Sequence, residues 1–228
     1  MAALTLRVLS NTRATPTTRL VSLALDGHAF TFKAGQWAML GEPQAAGKPY
    51  SIASAPREAA STGALAFLIR DEGSGTGLAR LRRGAAVHVD GPHGRFLLPD
   101  PFTGDLALFV AGGTGIAPLR AMLAELLARP HRPECGVLYS ARSANEFAFA
   151  RELRTLARQR RIRLALAVTR DLQNGWKGLS GRIGRAHLAE FIEGRDSQAF
   201  VCGPEGFVRD VRDALADLGV QRIRIEEQ

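Results

Sequence analysis

The chain has 228 residues, 46% of them apolar and 23% charged, enough for one large domain or two small ones with their own cores. Its two cysteines, Cys135 and Cys202, exclude a disulfide scaffold and leave no four-cysteine set for an iron–sulfur cluster or a structural zinc; no metal site is expected. Thirty basic residues against 22 acidic ones give +8, a field that favours anionic partners, and no run of about 18 apolar residues forecasts a membrane span.

The opening "MAALTLRVLSNTRATPTTRLVSLAL" is rich in arginine and hydroxyl residues and has no acid, as a mitochondrial presequence would. Leu4, Leu6 and Val8 alternate, however, and apolar residues resume after a Pro-containing turn. That is the pattern of folded strands, so a cytoplasmic protein is expected. Up to about residue 100 the apolar segments stay short: "TLRVLS", "LVSLAL", "QWAML", "YSIAS", "LAFLIR" and "AAVHVDG". Gly, Pro and polar clusters cut them apart, and "LARLRRG" is the one stretch that reads as a short helix. This spacing predicts a small antiparallel β-barrel over residues 1–100.

From about Asp105 the period changes. The runs "LALFVA", "CGVLYSA", "RLALAVT", "QAFVCG" and "RIRIE" alternate with longer segments whose apolar residues recur at three and four. Strands alternating with helices predict an α/β domain with a doubly wound parallel sheet over residues 105–228, the seam lying in "LLPDPFTGD". Such sheets bind ligands beyond the carboxyl ends of their strands.

"LFVAGGTGIAPLRAM", Leu108 to Met122, hands a strand over to a helix through glycines. A phosphate can meet backbone N–H groups at such a junction. Gly112, Gly113 and Gly115, with Thr114 between them, leave a pyrophosphate room to approach, and Pro118 suits a first helical turn. The spacing is not G-x-G-x-x-G, and glycine turns also serve packing alone. In the barrel half, "GKPYSIASAP" sets a cation, an aromatic and a hydroxyl close together as Lys48, Tyr50 and Ser51. Lys48 and Tyr50 share strand parity, and Ser51 has the other. "GPHGRF" and "FVCGPEGF" follow at Gly91 to Phe96 and Phe200 to Phe207. No basic motif interleaved with aromatics points to nucleic acid.

Taken in this order, the four motifs resemble those of the ferredoxin–NADP reductase family of flavoproteins, of the forms R-x-Y-S, G-P-x-G-x-F, G-G-T-G-I-A-P and C-G-P. The resemblance implies a flavin in the barrel half and a nicotinamide dinucleotide in the α/β half. It places Tyr50 against the isoalloxazine ring, Ser51 near its N5 and Lys48 at the flavin phosphate, with Pro49 among the cofactor-binding residues. Lysine stands there in place of the usual arginine and lacks its bidentate fork. "GSGTGLARL" resembles the family's second phosphate segment through Gly73 and Thr76, which favours FAD over FMN. Cys202, with Gly203 and Pro204, matches the nicotinamide side, and Glu226 matches the family's C-terminal acid. The aromatic that ends family members is missing from "EEQ". Ser51, Cys202 and Glu226 are thus the residues expected to set ring placement for hydride transfer.

The resemblance also implies three arginines around a ribose 2′-phosphate, matched by Arg142, Arg170 and Arg182. NADPH is therefore expected before NADH, although arginine abounds in this chain and G-R-I also occurs in relatives that use NADH. The implied activity is hydride exchange between NADPH and FAD, with single electrons passing to an acidic carrier such as ferredoxin or flavodoxin, or to an oxygenase component. Two alternatives stand beside it: an NAD(P)H:flavin reductase that uses flavin as a diffusible substrate, and a non-catalytic electron-transfer or regulatory subunit. The oligomeric state and the direction of electron flow are left open.

Overall fold

The computed structural model describes residues 3–42, 46–71, 77–171 and 175–227. They divide into two compact units, residues 1–98 with 120–125 and residues 99–119 with 126–228.

The first unit contains β1 (Leu4–Thr15), β2 (Thr18–Ala24), β3 (Trp37–Gly41), β4 (Lys48–Ser51), α1 (Pro56–Thr62), β5 (Ala64–Arg70) and β6 (Ala86–His93). All strand pairs are antiparallel, in the order β4-β3-β6-β1-β2-β5. Just beyond β4, Ile52 bridges Phe67 of β5, and the Ala53 N–H donates to the Ala66 carbonyl at 2.8 Å. These bonds join the two ends of the strand order and close the sheet into a barrel. Alternation along the strands sends Leu6, Val8, Val21, Leu23, Leu65, Phe67, Val87 and Val89 into one core.

Two local expectations shift. "LARLRRG" forms only a 3-10 turn over Leu78–Arg80, whose Leu78 and Ala79 are buried. A helix appears instead at α1, where Pro56 occupies the first turn and Gly63 ends it with a left-handed φ of 66°.

The second unit contains β7 (Leu106–Gly112), a 3-10 turn (Gly113–Gly115), α2 (Ile116–Leu127), β8 (Glu134–Ser143), α3 (Ala150–Arg158), β9 (Arg163–Asp171), β10 (Leu179–Ser180), α4 (Arg185–Ile192), β11 (Ser197–Gly203), α5 (Glu205–Asp217) and β12 (Arg222–Glu227). By contact, Arg120–Glu125 of α2 belong to the first unit. The sheet is wholly parallel in the order β10-β9-β8-β7-β11-β12. Every residue of β7 and of β11 is buried, as central strands covered on both faces require. From β7 the chain steps outward to β8, β9 and β10, then returns to β11 and β12 on the other side. The reversal falls between β7 and β11, so the loops leaving these two strands flank the switch point. Among the described residues, no helix is long and apolar enough to cross a membrane.

Candidate coenzyme site

The carboxyl ends of β7 and β11 lie side by side, Ala111 in register with Cys202. This brings "GGTG" and "CGP" together in a very crowded arrangement. A Cβ on Gly115 would stand 2.2 Å from the Cys202 carbonyl oxygen and 2.7 Å from the Gly203 nitrogen. A Cβ on Gly112 or on Gly203 would meet the Phe207 ring at 2.8 Å. At these positions the missing side chain makes room for the protein's own atoms. Gly113 differs: its φ is +56° and a Cβ there would meet nothing within 4 Å. It is the member of the trio with open space beside it. Neither the turn nor the twelve-residue α2 that it enters has an acid in its first turn, so the positive end of the helix suits an anion. Pro118 is buried in that first turn, where its missing N–H costs nothing, and Thr114 is half-buried. Pro204 is exposed and precedes α5.

Tyr139 on β8 holds this turn from the side. Its hydroxyl donates to the Gly113 carbonyl at 3.0 Å and accepts the Ala148 N–H at 3.2 Å. Burial pushes its phenol pKa far up, so the hydroxyl keeps its proton. The Phe147 ring sits edge-on to Tyr139 at 5.0 Å, and Trp176 stacks on Phe147 at 5.7 Å. Trp176 is pinned in turn by its Nε1–H to the Leu179 carbonyl at 2.9 Å. Sequence reading passes over these three rings and Phe207. Their only signal is lone aromatics in "LYSARSANEF", "NGWKG" and "PEGF", close behind strand ends.

The three arginines come from neighbouring strand ends. Ala141, Val168 and Ser180 lie in one row across β8, β9 and β10. Arg142 follows that row by one residue, Arg170 and Arg182 by two. Beyond the row the register slips, so Thr169 and Arg170 together oppose Arg142. Irregularities of this kind re-aim side chains next to ligand sites. Arg142 and Arg170 are exposed and have no ion-pair partner among the described residues. Arg182 is 87% exposed and stands 3.4 Å from Asp210 on α5. Surface pairs of this kind contribute only about 0–1 kcal/mol, so an incoming phosphate could replace Asp210. The residues present fit a phosphorylated dinucleotide: an acid-free helix start beside open space at Gly113, and Arg142 and Arg170, without an ion-pair partner among the described residues, at neighbouring strand ends.

Cys202 is fully buried, and Glu226 lies opposite it in register on β12. Burial drives the thiol pKa far above its ordinary value, and the Glu226 charge adds to the shift. Cys202 therefore stays a neutral thiol, a small apolar filler rather than a nucleophile. Glu226, half-buried, is itself shifted upward by desolvation.

In the first unit, β4 presents Lys48 and Pro49 exposed and Tyr50 and Ser51 half-buried. Tyr50 packs against the barrel core, and Lys48 has no ion-pair partner among the described residues. A half-exposed ring beside an unpaired cation fits an aromatic ligand that carries a phosphate. Gly73 and Thr76 lie outside the described residues.

Comparison with known proteins follows the same division. Residues 109–213 match the family model described as an oxidoreductase NAD-binding domain. Over 210 residues the chain is 37% identical to ferredoxin–NADP reductase B of Sorangium cellulosum, spanning 86% of this chain and 84% of that one. The chain belongs to the ferredoxin–NADP reductase family of flavoprotein oxidoreductases. Among solved structures, the Amycolatopsis cytochrome P450 reductase GcoB superposes with a TM-score of 0.87 at 25% identity, over 99% of this chain and 69% of that one. A ferredoxin–NADP+ reductase from Neisseria gonorrhoeae, solved with bound FAD and NADP, shares the fold at a TM-score of 0.80 and 22% identity, over 100% of this chain and 99% of that one. Several other relatives are longer, and this chain spans 53–65% of their length. The ferredoxin–NADP reductase assignment covers both units, since its barrel and its parallel sheet are both present.

Proposed function

We propose that the protein is an NADPH-dependent flavin oxidoreductase that holds FAD on the barrel unit and NADPH on the parallel sheet, and passes single electrons to a separate acidic carrier or oxygenase component. The observation that carries the coenzyme half is the gathering of exposed Arg142 and Arg170, without ion-pair partners among the described residues, at neighbouring strand ends in the same sheet as the glycine turn.

When bound, flavin accepts a hydride from nicotinamide and releases electrons one at a time, which converts a two-electron donor into a one-electron supply. The protein's part is alignment. The Gly112–Gly115 turn and the start of α2 receive the pyrophosphate, while Arg142, Arg170 and Arg182 receive the 2′-phosphate. Tyr50 offers its exposed face to the flavin ring, Ser51 a hydroxyl to its reactive edge, and Lys48 its charge to a flavin phosphate. Gly73 and Thr76, which lie outside the described residues, keep only the FAD pyrophosphate role that the resemblance implies. Cys202, with Gly203 and Pro204, bounds the nicotinamide, and Glu226 orients it from the neighbouring strand. None of these groups forms a covalent bond.

Lys48 also favours a second reading. A lone exposed ammonium holds a phosphate less firmly than a bidentate guanidinium, as an enzyme that releases flavin as product would require.

Anaerobic titration of the purified full chain with NADPH and NADH, followed by flavin bleaching, tests the activity. Retention of flavin through gel filtration separates the two readings. Arg142→Ala combined with Arg170→Ala is expected to raise KM for NADPH by at least tenfold, each charge-assisted contact contributing about 1.5–3 kcal/mol, and to leave KM for NADH nearly unchanged. Equal changes for both coenzymes would refute the 2′-phosphate assignment.

A further inference from the structure

Helix α1 begins at Ala55, which has no side chain able to cap it. Glu58 compensates: its carboxylate accepts the Ala55 N–H at 2.8 Å. The same carboxylate oxygen receives a guanidinium N–H from Arg120, and that nitrogen also donates to the Ala53 carbonyl at 3.3 Å. Arg120 lies on the part of α2 that belongs to the first unit. The Ala53 N–H is already given to Ala66 of β5, and Ser54 Oγ accepts the Ala66 N–H at 3.1 Å. Ile52 donates its N–H to the Gln36 carbonyl at 2.9 Å. All four residues from Ile52 to Ala55 are thus both buried and bonded.

These residues directly follow Tyr50 and Ser51. Strand β4 itself is only four residues long, pairs with β3 on one side and has no buried residue. The chain runs from Tyr50 and Ser51 straight into this buried and bonded segment, so the setting of the two residues is coupled to its position. Within that segment the Arg120 clamp supplies the charged contacts. Arg120 is 16% exposed and Glu58 36%, so solvent screens the pair less than an open surface pair.

We infer that Arg120 is a positioning residue for the flavin: by clamping Ala53 and Glu58 it fixes the segment that aims Tyr50 and Ser51. The inference rests on reading the barrel unit as the flavin-binding one. It assigns the helix after the glycine turn a task in flavin binding that none of its motifs announces.

The test uses the full chain with Arg120→Met, which keeps the length and removes the charge, and with Arg120→Lys, which keeps the charge. Three measurements are made on each: FAD titration of flavin-free protein, visible circular dichroism of the bound flavin, and hydrogen exchange of amides 53–55 without flavin. Arg120→Met is expected to raise the FAD dissociation constant about tenfold, to alter the flavin dichroism and to speed exchange at Ala55. Arg120→Lys is expected to recover part of each change; should the Met variant fail to fold, the Lys variant alone must still show weakened FAD binding. Unchanged FAD affinity and dichroism beside a lowered thermal midpoint would mean that Arg120 is only structural, and would overturn the inference while the flavin reading stands. A wild-type chain that takes up no FAD would overturn both.

Discussion

The two units build their candidate sites from different material. In the barrel, Lys48, Tyr50 and Ser51 are exposed or half-buried side chains on a four-residue strand. In the parallel sheet, the turn at Gly112–Gly115 is tightly packed, Gly115 against the backbone of Cys202 and Gly203 and Gly112 against the Phe207 ring. A site made of side chains can be tuned by substitution. A site made of close-packed backbone either forms or fails.

Substitutions that add or remove single groups put this contrast to the test. The largest effect is expected from Gly115→Ala. Its new Cβ would collide with the Cys202 carbonyl, a backbone atom that cannot rotate away. Overpacking of this kind costs about 1–3 kcal/mol, measurable as a lower denaturant midpoint, and NADPH binding should be lost while FAD uptake survives. If Gly115→Ala leaves NADPH binding intact, the backbone account of the turn is wrong.

A smaller effect is expected from Tyr139→Phe. The ring stays, but the Gly113 carbonyl and the Ala148 N–H both lose their partner. Leaving such groups unsatisfied costs about 1–3 kcal/mol. KM for NADPH should rise several-fold with little change in flavin retention. An equal loss of both would show that Tyr139 supports the chain generally rather than the turn.

The smallest effect concerns Glu226. Its carboxyl is raised above the ordinary range by desolvation, so the folded state holds this proton more tightly than the unfolded one. The stability it contributes is complete below the unfolded carboxylate pKa and is lost as pH rises through the folded value. Glu226→Gln should flatten the pH dependence of the unfolding midpoint across that window and make the protein slightly more stable above it. An unchanged profile would show that Glu226 is not desolvated.

Much of this was legible in the chain. Alternation at Leu4, Leu6 and Val8 announces β1, and the wholly apolar "LALFVA" announces a central strand such as β7. The turn motif marks the switch point because it joins the first apolar strand to the first long helical segment of the second half. What escaped detection has physical causes. Helix α1 is seven residues long and capped by Glu58 reaching back rather than by its own N-cap, so no serine, threonine, aspartate or asparagine marks its start. Strand β10 is two residues long, too short for any period. In the sequence, Gly112 and Gly115 read as room for a ligand. That a neighbouring carbonyl and a phenylalanine ring fill the space depends on contacts about 90 residues away along the chain, which no local pattern encodes. Arg120 is hidden for the same reason, since its partners Ala53 and Glu58 come from a distant strand-to-helix turn.

The bridge between Ile52 and Phe67 has one more consequence. Together with the Ala53–Ala66 bond it occupies part of the β5 margin on which another chain could template. The second sheet does end in open margins, but one is the two-residue β10 and the other is β12, where Arg224 and Glu227 stand exposed. Margins that are this short, or that carry charge, leave little free backbone for a second chain to extend.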